Sequence, residues 1–319
     1  MGKHFLWQRG LVREVLRADY DAIILLGNMY FLSTWFALFL ARLKGKKTLL
    51  WTHGVRSKET GVKRLFREFF YRCSDGLLLY GNRARDILGD QGVPVDRMTV
   101  IFNSLDFDRQ LEMMEESERL EVAELIKPLV LQEGEKYVLM IGRLTQDKAP
   151  ELLLEAISDI VQRGEAIKAV VVGSGPRLDL LKQLCLELKL QNHIHLFGEC
   201  YDEKTLAALH LGACVAVVPG DIGLSAIHSL GYGVPVLTHN DFDRHKPEFE
   251  AIEAGVTGDF FEFGDAVSLA DHILDWKRKS AQSNEMDVRQ SCISKIAVDY
   301  HPAMQRHRIS GAVRKVLRS

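Results

Sequence analysis

The sequence predicts an α/β protein made of two Rossmann-like halves, each built on a parallel sheet. Short apolar runs of four to seven residues alternate with longer amphipathic stretches, which is the pattern of strand–helix–strand units. At 319 residues the chain is also longer than one typical domain. A polar, acidic segment over 107–136 interrupts the alternation, which resumes at Tyr137. We therefore expect two α/β domains joined by an acidic helical linker.

Each predicted strand is an apolar run bounded by polar or turn-forming residues, as expected for strands buried on both faces. In the first half the runs cover 22–27, 48–51, 76–80 and 98–102, and in the second 137–142, 167–173, 193–197, 214–218 and 234–238. The predicted limits are a first domain over 1–106, the linker over 107–136, a second domain over 137–300 and a last helix over 301–319.

Residues 22–41 form an uncharged stretch that is long enough to cross a bilayer. Gly27 and Asn28 interrupt it, which favours a buried strand followed by a helix over 31–43. The N-terminus lacks the residue order of a secretory signal, and the five cysteines include no Cys-x-x-Cys pair. These features predict a cytoplasmic location.

The charge is distributed unevenly. Residues 1–80 contain 14 Lys and Arg against 6 acidic residues, whereas residues 81–160 contain 9 against 17. A basic first part favours an anionic partner, either a membrane surface or phosphates, although chance clustering on solvated helices stays open. The basic, aromatic segment 61–72 fits either a helix in a membrane interface or, more commonly, one buried against a sheet.

Three loops of the second half carry groups suited to a diphosphate. Arg143 and Lys148 follow the strand over 137–142, where an open α/β sheet binds ligands, and both cations suit phosphate oxygens. The next strand ends in a Gly-Ser-Gly-Pro turn, with Leu178 in place of the third glycine of a dinucleotide fingerprint. Pro219 to Gly223 form a third turn, which exposes backbone amides or is an ordinary strand–helix connection.

Together these segments resemble the nucleotide-sugar-binding domain of retaining GT-B glycosyltransferases of family 4. The matching motifs are Gly142-Arg143-Leu144 with Lys148, Gly173-Ser174-Gly175-Pro176, Phe197-Gly198, Gly223-Leu224, Gly233-Val234-Pro235-Val236, Pro247-Glu248, Gly255-Val256-Thr257-Gly258 and Gly264-Asp265. The resemblance covers about 137–276 and implies a GT-B fold, with two Rossmann-like domains whose parallel sheets face a cleft. The first domain lacks the family's opening strand in this sequence, which predicts a shortened acceptor domain.

The resemblance also implies site residues. Arg143, Lys148 and His53 are the predicted catalytic residues. The predicted donor-binding residues are Gly142, Gly173, Gly175, Gly198, Asp221, Gly223, Leu224, Ser225 and His228. The family's paired glutamates fall on Gly220 and His228, so Asp221 and His228 are predicted to replace them. We expect no metal and no cofactor beyond the nucleotide-sugar co-substrate.

The predicted function is transfer of a sugar, with retention, from a nucleotide sugar to a glycan or lipid-linked acceptor in surface polysaccharide or glycoconjugate synthesis. The expected location is cytoplasmic, peripheral on the inner face of the membrane, and no nucleic-acid partner is expected. A non-catalytic nucleotide-sugar-binding or partner subunit stays open, because the paired glutamates are missing. A nucleotide-sugar epimerase is a third interpretation.

Overall fold

The computed structural model describes residues 5–17, 19–117, 125–126, 129, 131–132, 135–281 and 285–318. The chain divides into two compact units. The first comprises residues 1–103 with 303–319, and the second comprises 104–302. Much of the predicted linker over 107–136 lies outside the described residues, and its first part forms a helix of the second unit.

The first unit is a parallel sheet of four strands that occur along the sheet in their sequence order. These strands are β1 Ala22–Leu26, β2 Lys47–Thr52, β3 Gly76–Leu79 and β4 Met98–Val100. The helices that precede and connect them are α1 Leu11–Arg17, α2 Leu32–Leu43, α3 Gly61–Arg72 and α4 Asn82–Asp90.

The second unit is a parallel sheet of six strands. They are β5 Tyr137–Ile141, β6 Ala169–Val172, β7 Ile194–Gly198, β8 Ala213–Val217, β9 Val236–His239 and β10 Gly258–Phe261. Its helices are α5 Phe107–Ser117, α6 Pro150–Gln162, α7 Leu178–Glu187, α8 Glu203–Leu211, α9 Ser225–Gly231, α10 Ala266–Ala281 and α11 Glu285–Lys295.

The last helix, α12 Pro302–Arg318, packs on the sheet of the first unit. Its residues Ala312 and Val316 form a small apolar cluster with Leu49, Leu78 and Ile101. A second cluster covers the opposite face of that sheet and includes Leu50 and several residues of α2 and α3. The central strands are therefore buried on both sides, which explains their continuous apolar sequence.

The predicted α/β class with two parallel sheets is confirmed. Each of the nine predicted strands is present, with ends shifted by at most two residues. The tenth strand, β10, was missed because its sequence Gly-Asp-Phe-Phe contains only two consecutive apolar residues and so lacks the apolar run of the other strands. Residues 22–41 form β1 and most of α2, and none of the helices in the described ranges has the length and apolar character needed to cross a membrane.

Candidate functional site

The strand order of the second unit creates a switch point between β5 and β8. The sheet order is β10-β9-β8-β5-β6-β7, so the chain builds outward from β5 through β6 and β7, and outward from β8 through β9 and β10. In such sheets a crevice opens at the carboxyl ends of the two strands where the direction reverses. The loops that follow β5 and β8 border this crevice.

The loop after β5 is held against the loop after β6 by direct backbone contact. Gly142 has a φ of +154° and donates its amide to Val172 O at 3.0 Å. A β-carbon on Gly173 would lie 1.9 Å from Gly142 O, and one on Gly175 would lie 2.4 Å from Leu144 O. Gly173 and Gly175 are therefore required by the packing of the two loops, independently of any contact with a ligand.

The loop after β8 is joined by backbone hydrogen bonds to the loop after β5. Gly220 N donates to Lys148 O at 2.9 Å, and Asp221 N donates to Asp147 O at 2.7 Å. In return, the Lys148 ammonium donates to the backbone carbonyl of Asp221. A β-carbon on Gly220 would lie 2.2 Å from Asp147 O, so a glutamate cannot replace Gly220 without moving the backbone.

The loop after β9 adds two cations that sequence analysis missed. Lys246 N donates to Ile222 O at 3.0 Å, and the Lys246 side chain lies across Gly223. Arg244 Nε donates to Asp221 Oδ1 at 3.1 Å. The only signal in the sequence was the basic run at 244–246, which lies outside every motif of the resemblance.

Where these three loops meet, the cations Lys148, Arg244 and Lys246 lie among carboxylates that include Asp147 and Asp221. Lys148 is half-buried, and its pKa lies below the ordinary lysine value because of burial and the nearby charge of Lys246. The pKa of Asp147 is also lowered, first by a hydrogen bond from Thr145 and further by Lys148 and Lys246. Two lysines attached to neighbouring residues of one loop are suited to a ligand with more than one negative charge, such as a diphosphate.

Arg143 is exposed, and among the described residues no hydrogen-bond or ion-pair partner holds its guanidinium. Its charge reaches the hydroxyl of Tyr201, where it opposes the rise in pKa that Glu199 causes. The predicted residue Gly198 ends β7 and accepts a hydrogen bond from Gly173 N at 2.7 Å. Arg143 thus stands at the rim of the crevice, free to meet a ligand.

The predicted residues of the third loop divide between structural and accessible positions. Asp221 is half-buried, with its carboxylate paired to Arg244. Leu224 is exposed, and Ser225 is the first residue of α9.

His228 belongs to a polar cluster that contains a carboxylate from another helix. His228 Nε2 lies 3.3 Å from Glu203 Oε2, and Tyr232 donates its hydroxyl to the same oxygen at 2.7 Å. These hydrogen bonds, His228 first, lower the pKa of Glu203 to about 2. His210 stacks on Tyr232, and burial lowers its pKa to about 3. Glu203, at the start of α8, was not singled out by sequence analysis.

His53 lies in the first unit. Its exposed ring is 4.6 Å from the ring of Tyr80, at the carboxyl end of the sheet. It borders an open cavity of about 350 Å³ whose lining is largely apolar and aromatic. Other residues that line this cavity are Leu26, Gly27, Tyr30, Phe31, Trp51 and Arg67.

The parallel sheet and its switch point together define an α/β protein with a crevice of the kind in which such sheets bind ligands. The family described as glycosyl transferases group 1 matches residues 121–291, which is more than half of the chain. The chain belongs to this family.

Relatives agree with this assignment. The chain is 29% identical over 194 residues to alpha-monoglucosyldiacylglycerol synthase of Streptococcus pneumoniae, covering 59% of this chain and 42% of that protein. Its fold matches that of HepE from Anabaena in complex with UDP, with a TM-score of 0.73 and 16% identity over 96% of this chain and 82% of the other. The fold also matches that of a glycosyltransferase from Rickettsia africae, with a TM-score of 0.74 and 17% identity. This match covers 96% of this chain and 79% of the other. The matches span 36 to 42% of the length of the curated relatives.

Proposed function

We propose that this protein transfers a sugar, with retention of anomeric configuration, from a nucleotide-sugar donor to a glycan or lipid-linked acceptor. Family membership supports glycosyl transfer. The observation that carries the proposal is that Lys148 and Lys246 both attach to the loop after β8, the first through its ammonium to Asp221 O and the second through its backbone amide to Ile222 O. The crevice that this loop borders is where α/β proteins bind phosphorylated ligands, and the donor of this reaction carries a diphosphate.

The proposed chemistry is electrostatic. When the bond between the sugar and the diphosphate breaks, negative charge develops on the departing phosphate oxygen. Lys148 and Lys246 stabilise that charge from the loops after β5 and β9, and Arg143 does so from the rim of the crevice. Removing one such contact typically raises the barrier by about 3 kcal/mol, or roughly a hundredfold in rate. In this proposal the cations of the protein perform the role that a metal ion performs in other transferases.

The donor base is to be established by titration. A uridine nucleotide is the first candidate, since the HepE structures are described in complex with UDP and with UDP-glucose.

For the acceptor, the name of the pneumococcal relative points to a glycolipid. We propose a lipid-linked acceptor at the inner face of the membrane, with His53 and its cavity on the acceptor side, in the synthesis of a surface polysaccharide or glycoconjugate.

The test is calorimetric titration of the chain with UDP, GDP and ADP, repeated with Lys148→Met and Lys246→Met. Binding of one nucleotide that weakens at least about tenfold in both variants supports the donor site. Binding that is unchanged in both variants removes it. A nucleotide that binds, with no sugar transferred to any glycolipid or saccharide acceptor offered, supports the non-catalytic subunit instead.

A further inference from the structure

Helix α2 of the first unit is apolar on the side that faces solvent. Its buried side consists of small and apolar residues such as Ala37, Leu38 and Ala41. Its outer stripe, at i, i+4, i+7 and i+11 spacing, consists of Leu32, Phe36, Phe39 and Leu43, which are 41 to 69% exposed. A surface helix of a globular protein ordinarily carries charged residues on this side. In α2 the first charged residue is Arg42.

Helix α3 repeats this arrangement. Phe70 and Tyr71 are buried, which confirms part of the expected packing against the sheet. The stripe at i, i+3, i+4 and i+7, however, consists of Val62, Leu65, Phe66 and Phe69, which are 47 to 82% exposed. Most of the aromatic face of this helix therefore remains open.

The two stripes form one surface because aromatic rings connect them. Trp35 of α2 lies with its ring centroid 4.9 Å from that of Phe66 and 5.9 Å from that of Phe69. The ring of Trp7 contacts the outer stripe of α2, with its centroid 5.4 Å from that of Phe36. We call this surface, made of Trp7 and the exposed stripes of α2 and α3, the aromatic face. Ring contacts link its parts into one patch, unlike the single apolar residues scattered over an ordinary surface.

The chain around the aromatic face is strongly basic. Between positions 41 and 72 there are ten Lys and Arg against two acidic residues, and two of these cations, Lys47 and Lys58, pair with Asp75 and Asp90 outside the segment. Arg42, Lys44 and Lys46 follow at the end of α2, while Lys63 and Arg67 of α3 pair with Glu59. Such a surface is complementary to an anionic membrane. Its apolar and aromatic side chains suit the acyl boundary, and the cations around them suit the phosphate headgroups.

We propose that the aromatic face is a membrane-docking surface that inserts between the headgroups of an anionic lipid bilayer. This proposal deepens the proposed function. It rests on the proposed function only in taking the acceptor to be a lipid. Tyr30 and Phe31, which line the cavity beside His53, directly precede α2, and Arg67 of α3 lines it too. A docked first unit therefore brings that cavity to the bilayer surface, where the headgroup of a lipid acceptor can enter it while its acyl chains stay in the membrane.

The experiment is sedimentation of the full chain with vesicles of phosphatidylcholine alone or mixed equally with phosphatidylglycerol. We expect binding to the mixed vesicles that decreases at about 1 M salt, because phosphate contacts are screened. The double variant Phe36→Ser/Phe39→Ser should reduce the partition coefficient about tenfold or more, since two exposed rings no longer enter the interface. Lys44→Gln/Lys46→Gln should reduce binding to the mixed vesicles only.

The matched control is Leu186→Ser/Met286→Ser, which removes two exposed apolar side chains from the second unit. It should bind vesicles like the unmodified chain. Fluorescence locates the inserted surface independently. Lipids brominated on their acyl chains should quench Trp7 emission, and Trp7→Phe should reduce that quenching.

Two outcomes overturn the proposal. One is equal vesicle binding by the Phe36/Phe39 variant and its control. The other is a mass measurement in solution that shows the unmodified chain as a dimer and the Phe36/Phe39 variant as a monomer, because the aromatic face is then a protein interface. Without vesicles, the unmodified chain and the Phe36/Phe39 variant should bind nucleotide with the same affinity. If neither binds nucleotide while the unmodified chain still binds vesicles, the proposed function fails and the docking surface stands.

Discussion

Lys246 lies across Gly223, so that a β-carbon at position 223 would come within 3.0 Å of Lys246 Cδ and 3.8 Å of its ammonium nitrogen. The backbone of Gly223 is not in the left-handed region, so an alanine there meets a flexible side chain and no backbone strain. Gly223 therefore provides the space that the Lys246 side chain occupies.

The first prediction follows from this contact. Gly223→Ala should displace the Lys246 ammonium and weaken binding of a nucleoside diphosphate by about 1 to 2 kcal/mol, while the melting temperature changes little. Gly311→Ala is the matched control, because Gly311 has open space around its α-carbon. Calorimetric titration of both variants checks the result. Equal affinities would show that Lys246 does not contact the phosphates.

The second prediction concerns Arg143. Its side chain is exposed, so Arg143→Ala should leave the free energy of unfolding nearly unchanged. Turnover with a nucleotide sugar should nevertheless fall about a hundredfold, because a cation at the rim of the crevice is lost. Steady-state kinetics and denaturant unfolding measure the two quantities. Arg278→Ala, which removes an exposed arginine paired with Asp275, is the control. Unchanged turnover in Arg143→Ala would remove its proposed role.

The sequence predicted the two sheets well because buried parallel strands are continuous apolar runs. It predicted less of the site, because the crevice depends on which strands are neighbours. Lys148 and Lys246 are almost a hundred residues apart, and only the order β9-β8-β5 brings their loops together. The outward stripe of α3 was equally hidden. An apolar helical face in a sequence does not tell whether a sheet covers it, and here Phe66 and Phe69 stay exposed.

The third prediction concerns acid stability. His210 is fully buried and neutral, with Nδ1 donating to Leu206 O at 2.7 Å, and its pKa of about 3 lies far below the ordinary value of 6.5. The unfolded chain therefore binds a proton below pH 6.5 that the folded chain does not bind until about pH 3. Stability conferred by the neutral ring is present above pH 6.5 and decreases as the pH falls. At pH 5 the loss is about 2 kcal/mol.

Denaturant unfolding at pH 7 and pH 5 measures this difference. His210→Gln should make the free energy of unfolding less dependent on pH by about that amount, whatever its effect at pH 7. His307 is exposed, so His307→Gln should keep the pH dependence of the unmodified chain. The same dependence in both variants would mean that other groups cause the acid sensitivity, with His239 and His245, whose pKa values burial also lowers, as the first to examine.

The fourth prediction couples positions 203 and 228. The family resemblance expects a glutamate where His228 stands, yet the carboxylate of Glu203 already lies 3.3 Å from the His228 ring. His228→Glu should therefore place two carboxylates side by side and destabilise the second unit. The exchanged pair Glu203→His/His228→Glu should recover part of that loss. We expect a coupling energy of about 1 kcal/mol from a double-mutant cycle by denaturant unfolding. Additive effects would show that the two side chains do not interact, and that Glu203 does not exclude a glutamate from position 228.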